Sequence, residues 1–368
     1  MSTHSLLIVA TAMLLVAMVA EEALPQDTQW VDARELTIEG QGWTDTKYPY
    51  DRLPAEAEGV VPAAVWGLSL NSAGIAARFT TDAEWIACRW KLRSGNLAMD
   101  HMPATGMSGV DLYMRMPEAM QKPPGQEWHW IGTGRPKQQE MESRLASGIP
   151  EGENEFTLYL PLYNGTTSLE IGVPAGATIA AALDRGKPVV VWGTSITQGG
   201  CASRPGMAYP AIMCRWLDMP HINLGFSGNG QMQPEVTQFI AELDAAAFVI
   251  DCLPNMSPDL VTERTAPVVR TLREAHPDTP IVLVENIEYQ ASAALAAPRR
   301  GYQSKNAAFK AVYDQLIADG VTGLTYVEGE PLFGNDGEAT VDGTHATDLG
   351  FLRMAEGLTP VLKDILGG

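Results

Sequence analysis

The sequence predicts an all-β sandwich followed by an α/β unit built on a parallel sheet. Three observations carry this. From about Trp30 to Ile179, short runs with apolar and polar residues in alternation are separated by Gly, Pro and Asn turns. After Asp184-Arg185-Gly186-Lys187 the character changes to continuous apolar runs alternating with helical stretches, the pattern of parallel strands covered on both faces. The chain has 368 residues, more than one core usually organises, so two domains are expected, at residues 27–184 and 185–368.

The elements follow in order. Leu6 to Ala20 form an apolar run short of the ~20 residues that span a bilayer, and small residues at Ala17 and Ala20 allow cleavage. Residues 1–20 are therefore read as a signal peptide and the protein as secreted or periplasmic, although no Lys or Arg precedes Leu6; an uncleaved N-terminal anchor is the alternative. Strands are expected at WGLSLNS, AARFTTD, EWIACRWKL, GVDLYMRM, EWHWIGTG, EFTLYLPLYNG and SLEIGV. The parallel strands are PVVVWG, HINLGF, AAFVIDCL, PIVLVENI and LTYVEG. Between them GMAYPAIMCRWL, Pro258–Ala275 and Gln303–Asp319 read as helices, the last with Phe309, Val312, Tyr313, Leu316 and Ile317 on one face. A final helix runs from Thr347, as N-cap, to Ile365.

Composition narrows the function. The hydrophobic fraction is 45%, no repeat or low-complexity tract interrupts the chain, and the formal charge is −19, which opposes nucleic acid as a partner. No segment of the mature chain is long and apolar enough to span a membrane. The four cysteines (Cys88, Cys201, Cys214, Cys252) show neither a disulfide framework nor metal-ligand spacing, so no metal or other cofactor is expected. A Cys201–Cys252 bridge is left open, since connectivity cannot be read from spacing.

In open α/β sheets, ligands bind beyond the carboxyl ends of the strands. Gly193-Thr194-Ser195-Ile196-Thr197 follows the strand PVVVW and precedes a helix, which lifts Ser195 Oγ out of the sheet as a candidate nucleophile. The same turn could instead cradle a phosphate. A serine nucleophile also needs a base and an orienting acid, and Asp342-Gly-Thr-His345 supplies both before the last helix.

These residues resemble the SGNH (GDSL-like) hydrolase family, which implies a flavodoxin-like α/β/α fold. Its first block is similar to Gly193-Thr194-Ser195-Ile196, with Thr194 where the family has aspartate. Its second resembles Asn223 to Gly230 and implies Gly228 as a backbone donor to the oxyanion hole; its third is reduced to Leu253-Pro254-Asn255-Met256, with Asn255 as the side-chain donor. Asn255 could otherwise be an Asx-turn residue. Asp342 to His345 forms the last block. Gly109-Val110-Asp111-Leu112-Tyr113 resembles the GxDLY motif of a jelly-roll-like sandwich fused to such hydrolases. Alternation puts Asp111 and Tyr113 on one face, where they read as determinants of the fold.

The resemblance implies a secreted serine esterase in which Ser195 attacks, His345 is the base, Asp342 orients it, and Ser195, Gly228 and Asn255 line the oxyanion hole. Family, export and the extra sandwich together favour short acyl groups, acetyl above all, on carbohydrate. Simple or lipid esters are the rival substrates, and a non-catalytic carbohydrate- or phosphate-binding protein is the rival class. Seven of nine tryptophans precede residue 131; Trp128 and Trp130 share a strand face as a candidate surface pair. His101 is a candidate for the mouth of the active site.

Overall fold

The computed structural model describes residues 24–122 and 126–367. The apolar run Leu6–Ala20 lies outside them. No helix among the described residues is long and apolar enough to cross a membrane.

The chain first builds strands β1 (Gln29–Asp32), β2 (Thr37–Glu39), β3 (Ala76–Thr81), β4 (Trp85–Leu92) and β5 (Val110–Arg115). β6 (Trp128–Gly134), β7 (Glu140–Ser147), β8 (Asn154–Tyr159), β9 (Thr166–Val173) and β10 (Ile179–Ala181) follow. They form two antiparallel sheets, ordered β1-β9-β4-β7 and β10-β3-β8-β5-β6, with β2 beside β3. One face of each is apolar: Ile86, Cys88, Trp90 and Ile171 meet Phe79, Leu112, Phe156 and Leu158 in a shared core. This is the sandwich that alternation predicts.

Five parallel strands follow: β11 (Val189–Gly193), β12 (His221–Gly225), β13 (Ala247–Asp251), β14 (Ile281–Val284) and β15 (Leu324–Val327). Their order, β12-β11-β13-β14-β15, is the flavodoxin-like 2-1-3-4-5 arrangement. Each apolar run is split by alternation between two cores. Val190, Trp192, Phe248, Ile250 and Leu283 face the helices Pro234–Ile240, Pro258–Ala275 and Ala296–Ala318. Val189, Val191, Val249, Val282 and Val284 face Tyr209–Trp216 and Asp348–Leu366. Thr347 caps the last helix, accepting a hydrogen bond from the Gly350 N–H at 3.3 Å.

The outer face of the second sandwich sheet packs on the α/β part. The Arg215 guanidinium, on the helix Tyr209–Trp216, stacks 4.0 Å from the Tyr113 ring. Arg185 bridges Glu39 and Asp218, and Arg115 also reaches Asp218 at 2.6 Å. Buried Arg52 donates to the carbonyls of Asn223 (3.0 Å), Gly225 (2.7 Å), Asn71 (2.9 Å) and Leu68 (2.7 Å), tying the N-terminal segment to the end of β12.

Some sequence expectations need correction. WGLSLNS is not a strand: Ala63–Ser69 is helical, with Val65 and Ser69 buried one turn apart. Its period-two pattern was too short to outweigh two preceding alanines. The strands β1, β2, β7 and β10 and the helix Pro234–Ile240 are additional to those the sequence pattern predicts. Ile317 is exposed rather than core. Trp128 and Trp130 do not form a surface pair. Trp128 is buried under Arg78, Arg115 and Arg185 and donates to Asp218 at 3.1 Å, while Trp130 stays exposed. All four cysteines are free, so Cys201 and Cys252 are not bridged.

Candidate active site

β11 ends at Gly193 because a side chain there would strike its neighbours: a Cβ would lie 1.9 Å from Thr197 Oγ1 and 2.7 Å from the Asp251 carbonyl. This close approach lets the chain turn at once into the helical turn Ser195–Gln198. Thr194 is its N-cap, its Oγ1 accepting from the Ile196 N–H at 3.3 Å. Threonine and aspartate both cap helices, so Thr194 keeps the local geometry. Ser195, first in the turn, is 6% exposed. Tyr163 of the β8–β9 connection donates its hydroxyl proton to the Ser195 carbonyl at 3.2 Å.

Asp342 to His345 is wound around one carboxylate. Asp342 Oδ1 accepts from the backbone N–H groups of Thr344 (3.0 Å) and His345 (2.8 Å), and Oδ2 lies 2.7 Å from His345 Nδ1. Gly343, at φ +90°, makes the turn possible. Partial burial pushes the Asp342 carboxyl up, but the His345 backbone and ring and the Thr344 N–H outweigh it and hold the group below the usual range. His345 Nε2 then lies 2.9 Å from Ser195 Oγ. An uninterrupted hydroxyl, imidazole, carboxylate chain results, able to move a proton from the hydroxyl while balancing the charge on the ring.

The other predicted positions lie nearby in different states. Gly228 sits in the turn after β12 at φ +69°, and a Cβ there would meet nothing within 4 Å, so this side of the turn is open. Asn255 ends a short 3-10 turn beyond β13. Its Oδ1 accepts at 3.3 Å from the Gly230 N–H, which also donates to the Phe226 carbonyl at 2.8 Å, and Nδ2 is left as the free end. Gly230 in turn packs against β11, where a Cβ would sit 1.9 Å from the Gly193 carbonyl. His101 is at the site: its ring centroid is 5.9 Å from that of His345. Asp111 and Tyr113 share a face and point across the interface. Asp111 Oδ2 accepts from Arg204 Nη1 (2.6 Å) and the Gly206 N–H (2.9 Å), and the Tyr113 hydroxyl accepts from Arg204 at 2.5 Å. They hold the segment that follows the Ser195 turn.

Sequence reasoning missed Asp251. This buried carboxyl closes β13 and accepts from Thr197 (3.0 Å) and Tyr209 (2.9 Å), with burial pushing it up to about 7 against those two hydroxyls. Its place at the carboxyl end of a central strand was the available signal. A raised carboxyl holds a proton in the folded state that the unfolded chain releases above about pH 4. Its stabilising contribution is therefore complete at low pH and is lost as pH rises through about 7. Asp251→Asn, a permanent mimic of the neutral acid, should remove that part of the pH slope. Urea unfolding of both proteins at about pH 5 and pH 8 checks this: the variant gains relative to wild type at the higher pH, and a pH-independent difference contradicts it.

The model of the GDSL-like lipase/acylhydrolase family matches residues 186–363, and that of the N-terminus of SGNH-hydrolase-type esterases, named for GxDLY, matches residues 28–179. A protein described as a GDSL-like lipase from Bacteroides ovatus is 36% identical, with a TM-score of 0.86, over 92% of this chain and 98% of its own. The salicylyl-acyltransferase SsfX3 of a tetracycline biosynthetic pathway is 21% identical with a TM-score of 0.73, covering 91% of this chain and 96% of its own. A family two carbohydrate esterase from Cellvibrio japonicus is 14% identical with a TM-score of 0.59, covering 92% and 98%. The last two share the fold. None of the curated proteins matches the sequence significantly.

Proposed function

The chain belongs to the GDSL-like lipase/acylhydrolase family and is an ester hydrolase, and from that premise we propose that it removes short acyl groups, acetyl above all, from carbohydrate outside the cytoplasm. The observation that carries the mechanism is the chain from Ser195 Oγ through His345 to Asp342, with its 2.9 and 2.7 Å links.

In this reading Ser195 Oγ attacks the ester carbonyl as His345 Nε2 takes its proton. Asp342 keeps the other ring proton on Nδ1 and stabilises the imidazolium. The backbone N–H groups of Ser195 and Gly228 and the free Nδ2 of Asn255 face the charge that builds on the carbonyl oxygen. His345 next protonates the leaving alcohol and then activates water to release the acyl group. The division of labour belongs to the same proposal, with residues 185–368 as the catalytic domain and 27–184 as a sandwich that buttresses it through Asp111 and Tyr113.

The carbohydrate assignment is supported by likeness in fold to the Cellvibrio japonicus enzyme and by the exposed Trp130 on the sandwich. Export rests on the apolar run Leu6–Ala20. Acetate release from acetylated polysaccharide, measured beside a series of p-nitrophenyl esters, tests the substrate. The expected result is acetate release and rates that fall as the acyl chain lengthens. Rates that rise with chain length move the assignment to lipid esters, and no hydrolysis of any ester overturns the catalytic reading.

The Ser, His and Asp groups need no Lewis acid for this route, so activity should survive exhaustive EDTA treatment. Reversible loss on chelation, restored by a divalent cation, contradicts the mechanism.

A further inference from the structure

Beside the proposed hydrolytic chain the fold brings together a second set of groups. His101, Cys201 and His345 each offer one ligand atom, and the three atoms lie within 4.8 Å of one another, the one such group among the described residues. They come from three separate segments: the loop before the helix Ala104–Met107, the turn after Ser195–Gln198, and the Asp342 turn. No spacing in the sequence announces them.

The two imidazoles are prepared in the same way. His101 Nδ1 lies 3.0 Å from Asp100 Oδ1, and His345 Nδ1 lies 2.7 Å from Asp342 Oδ2. A carboxylate on Nδ1 keeps the proton there and leaves the Nε2 lone pair outward, which is the carboxylate–histidine–metal arrangement. The thiol of Cys201 adds a soft donor, and two imidazoles with one thiolate form a set suited to zinc-like ions.

We propose that His101, Cys201 and His345 form an inhibitory site for a thiophilic divalent cation, with Zn2+ as the probe. On binding, the Cys201 S–H bond breaks, its proton leaves to water and a sulfur–metal bond forms, while the two Nε2 atoms donate their lone pairs and water completes the tetrahedron. Metal–sulfur and metal–nitrogen bonds of about 2.3 and 2.0–2.1 Å put tetrahedral ligands about 3.5 Å apart. The exposed His101 side chain closes the remaining gap. His345 Nε2 cannot hold a cation and take the proton of Ser195 together, so an occupied site is an inactive one. The inhibition rests on the proposed mechanism; the binding does not.

The test uses untagged protein. Zn2+ should inhibit ester hydrolysis and EDTA should restore it. Cys201→Ser and His101→Ala should each raise the half-inhibiting concentration by about tenfold or more, with metal-free activity within about threefold of wild type. Binding is read separately by titrating Co2+ into Ser195→Ala, where a thiolate-to-cobalt charge-transfer band is expected that Ser195→Ala with Cys201→Ser lacks. Equal inhibition of wild type and both variants overturns the site, as does a cobalt complex without the thiolate band or the absence of binding at millimolar metal. If Ser195→Ala proved active, the cobalt titration would still decide the site on its own.

Discussion

Replacing Ser195 with alanine is expected to lower ester hydrolysis by ~10³-fold or more while the protein still folds. The side chain is small and its one described partner is His345 Nε2. Its removal leaves the cap at Thr194, the Tyr163 contact to the Ser195 carbonyl and the packing of Ile196 in place. The variant should therefore match wild type in thermal unfolding, and rate and stability should separate cleanly. Comparable loss of both would make Ser195 a structural residue, and retained activity would remove it from the chemistry.

The Asn255→Ala variant should lose ~10²–10³ in kcat with little change in KM, a cost of about 2.7–4 kcal/mol for a donor that meets charge only in the transition state. With Oδ1 accepting from the Gly230 N–H, Nδ2 is the unengaged end that the proposed oxyanion hole uses. Steady-state kinetics on p-nitrophenyl acetate decides it. A kcat within about threefold of wild type, under 1 kcal/mol by transition-state arithmetic, rejects Asn255 as a donor and leaves the hole to Ser195 and Gly228.

What the sequence made legible was local. The parallel strands could be found because burial on both faces writes Val and Ile without interruption, as in PVVVWG. The Asp342-Gly-Thr-His345 turn could be found because one carboxylate serving two N–H groups and a ring needs that spacing. What stayed hidden depends on partners distant in the chain. Arg52 looks like a surface cation until its guanidinium is found among carbonyls from residues 68 to 225. Trp128 alternates like a surface residue, yet Asp218 and three guanidiniums cover it. The strand β7 hides Met141, Ser143 and Leu145 behind intervening charges, so the alternation in EMESRLAS is masked by its polar residues. His101 and Cys201 carry no shared motif, and only the fold makes them neighbours.

The central claim is that Ser195 is the nucleophile, activated by His345. A fluorophosphonate reports on this most directly, because it phosphonylates a serine only where an adjacent base makes the hydroxyl reactive. Peptide mapping after stoichiometric labelling should place a single phosphonyl group on Ser195, with activity lost in proportion to the label and no labelling of His345→Ala. Complete inactivation with the group on another residue, or full activity in protein labelled at Ser195, would contradict it.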